Sequence, residues 1–395
     1  MKTLRDLKVL SLEQAMVVPF LTYRLAMDGM QIIRLENPSQ GDPNRMVGDN
    51  VLNEDRMNSY FLCINAGKKA ITLNLANPAG RGLLLKLIKE LDIDIFITNQ
   101  LPRNYKKLGI DYDILKTVKE DIIWMGITGF GPNSDEGAYD PVLQAKSGLM
   151  DLTGEPDGDP QVLGIPLADL GASEHGYGLL MKAIFNRAVS GRGSRLDLSM
   201  FDSSISWLAV PVTMTASFGK RITRCGNTHE FFAPVSVYQT RNGFIYLAVG
   251  NDRQWKAMVS QELFSSLDKT EYEKNAGRIK DVKRLNASLN SITREHTSEE
   301  LIEFFASITV PVSKINSINE LISDPLVQSR LLSTQDPKSK MKITLTPPPV
   351  TTSFLENNSL QLSFPPRLGE HNTEIYGKLG LSGQQIGQLG QDGVI

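Results

Sequence analysis

The first third of the chain alternates short apolar runs with longer helical patterns, and this alternation restricts the fold more than any other feature. Apolar, β-leaning runs lie at residues 8–12, 31–35, 93–98 and 122–127. Helical patterns lie between or beside them at residues 20–27, 80–91 and 111–119. Strands and helices that alternate at this spacing form a mostly parallel sheet with helices on both faces. The sequence therefore predicts an α/β fold with a Rossmann-like open sheet.

The pattern changes near residue 231, which predicts a second, smaller α+β domain. Two β-leaning runs, Pro234–Thr240 and Phe244–Val249, are joined by Arg241-Asn242-Gly243, a typical hairpin turn. Charged helical patterns fill residues 252–321. A Thr/Pro-rich segment at 344–353 is too poor in backbone donors for a central strand, and it has the composition of a linker.

Composition and charge exclude several classes of protein. Of the 395 residues, 41% are hydrophobic and 22% are charged, which is typical of globular rather than disordered or membrane proteins. The formal net charge of −2 provides no overall attraction to nucleic acid or anionic lipid. Residues 1–10 lack the apolar core of a signal peptide, and no later window approaches a membrane span. We expect no nucleic-acid or membrane partner.

The cysteines and histidines argue against disulfide and metal chemistry. Cys63 and Cys225 are the only cysteines and lie far apart, so a reducing cytoplasm fits best. The four histidines are scattered, and none has a second His or Cys at ligand spacing. The sequence predicts no metal site.

Common nucleotide and hydrolase motifs are missing. The first strand is followed by Ser11-Leu12-Glu13-Gln14-Ala15 rather than by Gly-x-Gly-x-x-Gly, which speaks against an NAD or FAD site. The phosphate-binding loop Gly-x-x-x-x-Gly-Lys-Ser/Thr and the Gly-x-Ser-x-Gly elbow of serine hydrolases occur nowhere. We therefore expect no permanently bound cofactor.

Asp169 is the acid that attracts attention, because it lies among small and apolar residues in Gly164–Ala172, just before a long helical pattern. A carboxylate in this place is either a helix cap or a nucleophile. The residues alone leave both alternatives open. His175 follows on the same predicted helix and would face the same cleft if the helix began near Leu170, although a surface or packing role is the commoner one for such a histidine.

Two segments have residues suited to phosphate. Asn99–Gly109 contains three cations and follows a predicted strand at its carboxyl end, where open sheets bind ligands. Taken by itself, a solvated loop is the commoner explanation for such cations. Asn65–Lys69 contains a glycine and two lysines that suit either a phosphate contact or a simple turn.

Several short segments share an order and spacing that resembles the family III CoA-transferases, the group that includes formyl-CoA:oxalate and carnitine CoA-transferases. The resemblance runs nearly from end to end. The segments are Leu7–Leu10 with Pro19, Ile33–Glu36, Gly41–Arg45, Asn65–Leu75, Gly129–Pro132, Tyr139–Met150, Leu152–Gly154, Gly191–Ser194, Asp197–Asp202 and Pro365–His371.

The resemblance implies a site. The family's catalytic aspartate corresponds to Asp169, which favours the nucleophile over the cap. A coenzyme A pocket is implied at eight further positions, which are Met16, Val17, Asn37, Leu73, Asn99, Lys107, Leu108 and Tyr139. This chain has Asn37 where some members have Arg, and Gln100 where many have an aromatic residue. Coenzyme A and acyl-CoA are implied as substrates.

The implied reaction moves CoA from an acyl-CoA donor, with succinyl-CoA as a candidate, to a free carboxylic acid through mixed-anhydride and aspartyl-CoA thioester intermediates on Asp169. One alternative is an α-methylacyl-CoA racemase, which uses a Gly-His-Asp motif. Here the matching stretch is Ala138-Tyr139-Asp140, so that histidine is missing. Another alternative is a non-catalytic CoA-binding subunit of a hetero-oligomeric transferase.

The resemblance also implies an assembly in which two protomers interlock as linked rings. Residues 1–215 and 330–395 would then form the large CoA-binding domain, and 216–329 the small domain, in an interlocked homodimer. The acceptor acid stays unnamed. Arg221, Arg224 and His229 suit an acidic acceptor, although solvated surface positions are the commoner explanation for such side chains.

Overall fold

The computed structural model describes residues 2–395 as two compact units. Unit one comprises the residues up to Ser147, Leu163–Ala216 and Ser329–Ile395, and unit two comprises Gly148–Val162 and Ser217–Gln328. Residues 148–162 group with unit two, whereas the sequence prediction assigned them to the large domain. The predicted domain limits stay a prediction, because compact units are not by themselves independently folding domains.

Unit one is built on a six-stranded parallel sheet with the order β3-β2-β1-β4-β5-β6. The order reverses between β1 and β4, which is the switch point of a Rossmann-like sheet. This confirms the predicted α/β class. The strands are β1 (Lys8–Leu12), β2 (Gln31–Glu36), β3 (Lys68–Thr72), β4 (Ile95–Thr98), β5 (Ile123–Thr128) and β6 (Ser194–Ser199).

Helices cover both faces of this sheet, so its central strands are largely apolar and shielded from water. Every residue of β4 and β5 is buried, as expected for a parallel sheet packed on both sides. The helices before unit two are α1 (Val17–Met27), α2 (Ser59–Leu62), α3 (Pro78–Glu90), α4 (Pro102–Leu108), α5 (Tyr112–Lys116), α6 (Asp140–Ser147), α7 (Leu167–Ser190), α8 (Met200–Ser206) and α9 (Ala209–Phe218).

Two hydrophobic clusters form the core of unit one. One joins α3 to the sheet and to the C-terminal residues Ile375, Tyr376 and Ile395. The other joins α1 and α7 to the opposite face, through residues such as Leu21 and Leu180. The long helix α7 is thus fixed against the strands by apolar packing.

The C-terminal part of unit one returns to the sheet. It contains the antiparallel strands β10 (Leu332–Gln335) and β11 (Lys342–Leu345), and the helices α16 (Ser353–Asn357), α17 (Asn372–Gly377) and α18 (Gly383–Gln391). The linker prediction for the Thr/Pro-rich segment is wrong at Thr344 and Leu345, which pair with Ser333 and Leu332. Two strands at an edge tolerate the prolines that follow, because no further strand has to pair with them.

Unit two contains the predicted hairpin in a three-stranded antiparallel sheet. Its core is formed by buried aromatic and aliphatic side chains, including Tyr238, Trp255 and Phe305. Its elements are β7 (Val235–Thr240), β8 (Gly243–Ala248), α10 (Asp252–Val259), α11 (Asn275–Lys280), α12 (Val282–Thr293), α13 (Ser298–Ser307), β9 (Val312–Lys314), α14 (Ile318–Ser323) and α15 (Pro325–Gln328). Across residues 2–395, each helix is too short or too polar to cross a membrane.

Candidate active site

Asp169 lies in the first turn of α7 but does not cap it. The N-cap position belongs to Pro166, whose side chain offers no acceptor. Among the described residues, none donates a hydrogen bond to the Asp169 carboxylate or forms an ion pair with it. The capping alternative left open by the sequence is therefore wrong, and the carboxylate has no structural partner within the described chain.

The surroundings of Asp169 favour its protonated form. Burial in the protein, and after it the charge of Asp140, raise the pKa of Asp169 to about 7 from its ordinary value of 3.8. A desolvated carboxyl group beside a second carboxylate resists ionisation for both of these reasons. The favourable field of the helix N-terminus acts in the opposite direction but is weaker, at about 1 kcal/mol or less.

Asp140, at the start of α6, supplies the acceptor that α7 lacks. Its carboxylate is 5% exposed, and its Oδ2 accepts from the backbone N–H groups of Ala168 at 2.6 Å and Asp169 at 3.1 Å. Gln144, one turn later on α6, donates from Nε2 to Oδ1 at 2.5 Å. The amide oxygen of Gln144 accepts from the N–H of Leu163 at 3.0 Å. This pair of side chains holds the segment that leads into Asp169.

Further along α7, Ser173 links the helix to the N-terminus of α1. Its hydroxyl donates to the carbonyl of Val17 at 2.6 Å and lies 2.8 Å from the carbonyl of Asp169. Gly171 packs on the ring of Trp207, where a Cβ atom would lie 2.3 Å from the ring. The first turns of α7 are thus fixed on two sides.

Both ring nitrogens of His175 form hydrogen bonds to neighbouring side chains. Trp207 donates from its indole N–H to Nε2 at 3.0 Å, so the proton of the neutral imidazole is on Nδ1, 2.6 Å from the Ser203 hydroxyl. Both ring nitrogens are therefore engaged within unit one. Burial raises the pKa of Tyr60 on α2, and the charges of Asp169 and, more weakly, Asp140 raise it further.

Three of the residues implied in coenzyme A binding meet at the carboxyl edge of the sheet. Asn37, Leu73 and Leu108 line a cavity of about 220 Å³ together with Gln14 and Gln100. The strands before them all end at this edge beside the switch point, where open α/β sheets bind ligands.

The neighbours of this cavity have well-defined roles. Asn37 uses its Oδ1 to accept from the N–H of Ser39 at 2.9 Å. Asn99 pairs with the backbone of Gln14, accepting at 3.2 Å and donating at 2.8 Å. Lys107 is exposed on α4, and its ammonium has no ion-pair partner among the described residues. It is thus available for an anionic ligand.

The other three implied residues lie away from the cavity lining. Met16 is the N-cap residue of α1 and Val17 is its first residue, buried and contacted by Ser173. Tyr139 is 79% exposed and directly precedes Asp140. These residues adjoin the groups that hold Asp169, so the implied positions divide between the cavity and the surroundings of Asp169.

The segment Asn65–Lys69 is structural. Lys68 is buried, and its ammonium donates to Glu13 at 3.0 Å, to the Pro19 carbonyl at 2.8 Å and to Asn65 at 2.8 Å. Lys69 pairs with Glu374. Of the two alternatives for this segment, the structure thus favours the turn over a phosphate contact.

In unit two, Arg224 is also engaged, since it donates to the carbonyl of Gly158 at 2.8 Å and to Asp151 at 2.9 Å. His229 packs against Phe231 and Phe232. Arg221 is exposed and has no ion pair among the described residues. Within residues 2–395, no group of three or more His, Cys, Asp or Glu side chains is arranged to hold a metal ion.

Sequence reasoning missed Asp140, Gln144, Ser173 and Tyr60. The only signal for Asp140 was its position directly before Pro141, since proline is common in the first turn of a helix. Its contact with residues 168 and 169 is a tertiary one, and spacing along the chain does not encode it.

Comparison with known proteins agrees with this architecture. The family model for CoA-transferase family III matches residues 4–372. Succinyl-CoA:glutarate CoA-transferase of Homo sapiens is 29% identical over 402 residues, covering 100% of this chain and 90% of the relative. Succinate–glutarate CoA-transferase of Agrobacterium fabrum is 30% identical, covering 95% of each chain. The crystal structure of a CAIB/BAIF family protein from Brucella suis superposes with a TM-score of 0.83 at 29% identity, covering 96% of this chain and 99% of that one.

The chain therefore belongs to CoA-transferase family III. It is an enzyme of CoA transfer between an acyl-CoA and a carboxylate. The family assigned from the sequence is confirmed, as is the Rossmann-like α/β class.

Proposed function

We propose that Asp169 is the covalent nucleophile of this transfer. The carboxylate attacks the thioester carbonyl of the donor, which forms a mixed anhydride and releases CoA thiolate. The thiolate then attacks the aspartyl carbonyl, so that the donor acid leaves and an aspartyl-CoA thioester remains. The acceptor carboxylate attacks this thioester, and the released thiolate attacks the acyl carbonyl of the second anhydride. The product is the new acyl-CoA, and Asp169 is regenerated.

The observation that carries this proposal is the isolation of the Asp169 carboxylate. The Asp169 side chain is half-buried, and carboxylates withdrawn from water are ordinarily paired, because an isolated charge is costly to desolvate. This one has no donor among the described residues, and its pKa is raised to about 7. A carboxylate without hydrogen bonds and of higher basicity is the better nucleophile, and active sites are where such perturbed groups concentrate.

The raised pKa predicts a pH dependence for the first half-reaction. Only the ionised carboxylate attacks, so kcat/KM rises as the pH increases through about 7 and levels off above it. Succinyl-CoA as donor and a dicarboxylic acid as acceptor are the substrates we propose, since the human and Agrobacterium fabrum relatives are named for succinyl or succinate and glutarate. We further propose that the cavity at Asn37, Leu73 and Leu108, with Lys107 beside it, receives part of the coenzyme A.

A homodimer is also proposed, interlocked as the family resemblance implies. Helix α9 supports it, because none of its ten residues is buried although most are apolar. Val210 is 58% exposed and Phe218 is 71% exposed, and apolar surface of this kind is usually covered by a partner. Light scattering of the purified protein tests this; an active monomer contradicts it. A cytoplasmic location stays a prediction.

Trapping and substitution together test the nucleophile. Incubation with succinyl-CoA and hydroxylamine should convert the aspartyl thioester to a hydroxamate, and peptide mass spectrometry should locate it at Asp169. Asp169→Ala and Asp169→Asn should each lower transfer by at least about 10³-fold with the fold intact.

Asp113→Asn is the matched control, because Asp113 is also an acid in the first turn of a helix but is exposed. It should leave transfer unchanged. A hydroxamate on another residue, or wild-type turnover in Asp169→Ala, refutes the assignment.

A further inference from the structure

We propose that Asp140, held in place by Gln144, is a positioning residue for the transfer reaction. Asp140 accepts the hydrogen bonds that an N-cap residue of α7 would accept, and its negative charge opposes the ionisation of Asp169. This inference rests on the proposed role of Asp169 as nucleophile. Neither Asp140 nor Gln144 needs to touch a substrate for it. Both act through the first turn of α7.

Hydrogen bonds to Asp140 hold the start of α7 in place. The first N–H groups of a helix have no partner within the helix, and Pro166 at the N-cap offers none. The Oδ2 atom of Asp140 accepts from two of them, those of Ala168 and Asp169. The backbone of the nucleophile is therefore held by a side chain from another helix, while its own carboxylate is left without a hydrogen bond from the described residues.

Gln144 fixes the orientation of the Asp140 carboxylate through two hydrogen bonds of its amide group. Its amide group gives the nitrogen to Asp140 Oδ1 and the oxygen to the N–H of Leu163. The two oxygens of Asp140 are then both committed, one to Gln144 and one to the helix. An acceptor on both sides is what this position requires, and a carboxylate provides it whereas an amide does not.

The titratable groups around Asp169 determine how easily its carboxyl group ionises. Among them, α6 contributes Asp140 and α2 contributes the phenol of Tyr60. On α7 itself, Glu174 pairs with Arg24, and His175 is bonded to Ser203 and Trp207. Asp140 accepts three hydrogen bonds and Asp169 accepts none from the described residues, so a proton held by the pair belongs on Asp169. Moving the charge of Asp140 away should therefore ease the ionisation of Asp169.

Three variants separate position from charge. Asp140→Ala removes the acceptor and the charge. Asp140→Asn retains one acceptor oxygen but presents an NH₂ group to either Gln144 or the helix, both of which donate. Asp140→Asn combined with Gln144→Glu restores the pairings with the α7 N–H groups and with Leu163, because the carboxylate now at position 144 accepts from the amide now at position 140 and from the N–H of Leu163. It loses the long bond, 3.5 Å, that the Gln144 amide donates to the carbonyl of Ile165. The double variant also moves the negative charge one turn along α6, away from the N–H groups of α7.

We expect Asp140→Ala to lower kcat by about 10²-fold and to change the KM for acyl-CoA by less than about threefold. The reason is that acyl-CoA still binds, whereas Asp169 is no longer aligned with the thioester. The single Asn variant should lie between this and wild type. The double variant should recover kcat to within about tenfold of wild type, and the midpoint of its acid limb in kcat/KM should fall by roughly half to one pH unit. Circular dichroism confirms folding in each case.

Asp111→Ala is the control for a purely structural cap. Asp111 is buried and accepts from the N–H of Asp113 at the start of α5, so loss of this cap should cost about 1 kcal/mol of stability but leave the acid limb unchanged. Wild-type kcat in Asp140→Ala, or an unshifted acid limb in the double variant, overturns the inference. These failures differ from failure of the proposed nucleophile, which the hydroxamate position in the wild-type enzyme reports independently.

Discussion

Unit one withdraws carboxylates from water in two places, fully in the first and partly in the second, where Asp169 is half-buried, and it surrounds them with opposite kinds of neighbour. In the first place, which we call the ion cluster, Glu13, Glu36 and Asp42 face Arg34, Arg45 and Lys68. In the second, Asp140 and Asp169 lie beside each other, and neither has a cation paired with it among the described residues. Burial alone would raise the pKa of Glu36, but Arg34 and Arg45 outweigh it and lower the pKa to about 2. For Asp169 burial acts without such compensation.

The ion cluster supports the backbone, whereas the pair of Asp140 and Asp169 contains the reactive carboxyl group. The ion cluster holds the loop between β1 and α1, because Asp42 accepts from the N–H of Ala15 at 3.2 Å and Asn44 donates to its carbonyl at 2.5 Å. Ala15 has a φ of 62°, a conformation that an alanine retains only where its surroundings impose it. The paired charges of the ion cluster fix the backbone beside Met16 and Val17. The carboxyl group of Asp169 has no paired cation, so its basicity is raised and it is available to react.

Arg34→Met should have the largest effect on folding, because it removes a cation from three buried carboxylates. Arg34 is fully buried and donates to Asp42 at 2.8 Å and to Asn65. Breaking a buried ion pair by removing one partner costs about 3–5 kcal/mol. Chemical denaturation at pH 7 should show this loss, and the affinity for CoA should fall as well.

Arg192→Met provides the comparison for this loss. Arg192 is exposed and its side chain has no ion-pair partner among the described residues, so its removal should change the free energy of unfolding by less than about 0.5 kcal/mol. Equal losses in the two variants would mean that the cluster does not stabilise the unit.

The local pattern of the sequence predicted four of the six strands of the sheet, and β3 and β6 were not among them. β1 was predicted at its observed limits, Lys8–Leu12, and β2, β4 and β5 within two residues at either end. β3 was missed, because Lys68 and Lys69 at its start hid a buried strand behind two charges. The charge of Lys68 is tolerated only through Glu13, a contact over 55 positions of chain that no local pattern reveals.

The site was predictable in part. The long helix near Asp169 was apparent, although α7 begins at Leu167 and Asp169 lies in its first turn rather than before it. Three implied coenzyme A residues do meet in one cavity. Tyr139 and Val17 lie elsewhere, beside Asp140 and Ser173. The distinction between cap and nucleophile depended on Asp140, whose acceptor role makes a cap at 169 unnecessary. Such roles depend on the packing of α6 against α7, which the sequence does not specify position by position.

Asp169→Asn should stabilise the protein at pH 8 although it abolishes transfer. A carboxyl group whose pKa is raised from 3.8 to about 7 on folding binds its proton more tightly in the folded state, so stability falls as the pH rises between these values. The asparagine variant escapes this loss. At about 1.4 kcal/mol per pKa unit the loss is about 4 kcal/mol, so after subtraction of a helix-terminal attraction of about 1 kcal/mol the gain should be roughly 3 kcal/mol at pH 8 and vanish near pH 4.

Thermal unfolding of both proteins at pH 4, 6 and 8 measures this difference. The corresponding substitution in the ion cluster, Glu36→Gln, should have the opposite sign at pH 8, because the ionised Glu36 is stabilised by Arg34 and Arg45. If Asp169→Asn is destabilising at pH 8, the two places do not differ as described.

Two glycines of α7 test how tightly the first turns are held. Gly171→Ala would bring Cβ to 2.3 Å from the Trp207 ring, whereas Gly178→Ala meets nothing within 4 Å. Alanine in a helix is favoured over glycine by about 1 kcal/mol, so Gly178→Ala should be stabilising. At Gly171 the overpacking, about 1–3 kcal/mol, should cancel or reverse that gain and reduce kcat. A gain of equal size at both positions would indicate that Trp207 moves freely.

Ser173→Ala should have the smallest effect and is the most direct test of communication between the two places. The Ser173 hydroxyl touches the carbonyl of Val17, beside the loop held by the ion cluster, and the carbonyl of Asp169. Its loss should cost about 1 kcal/mol. In a double-mutant cycle with Asn44→Ala, which loosens Ala15, independent sites should give unfolding energies that add within about 0.5 kcal/mol. A larger coupling energy would mean that the loop held at Ala15 helps to position Asp169 through Ser173.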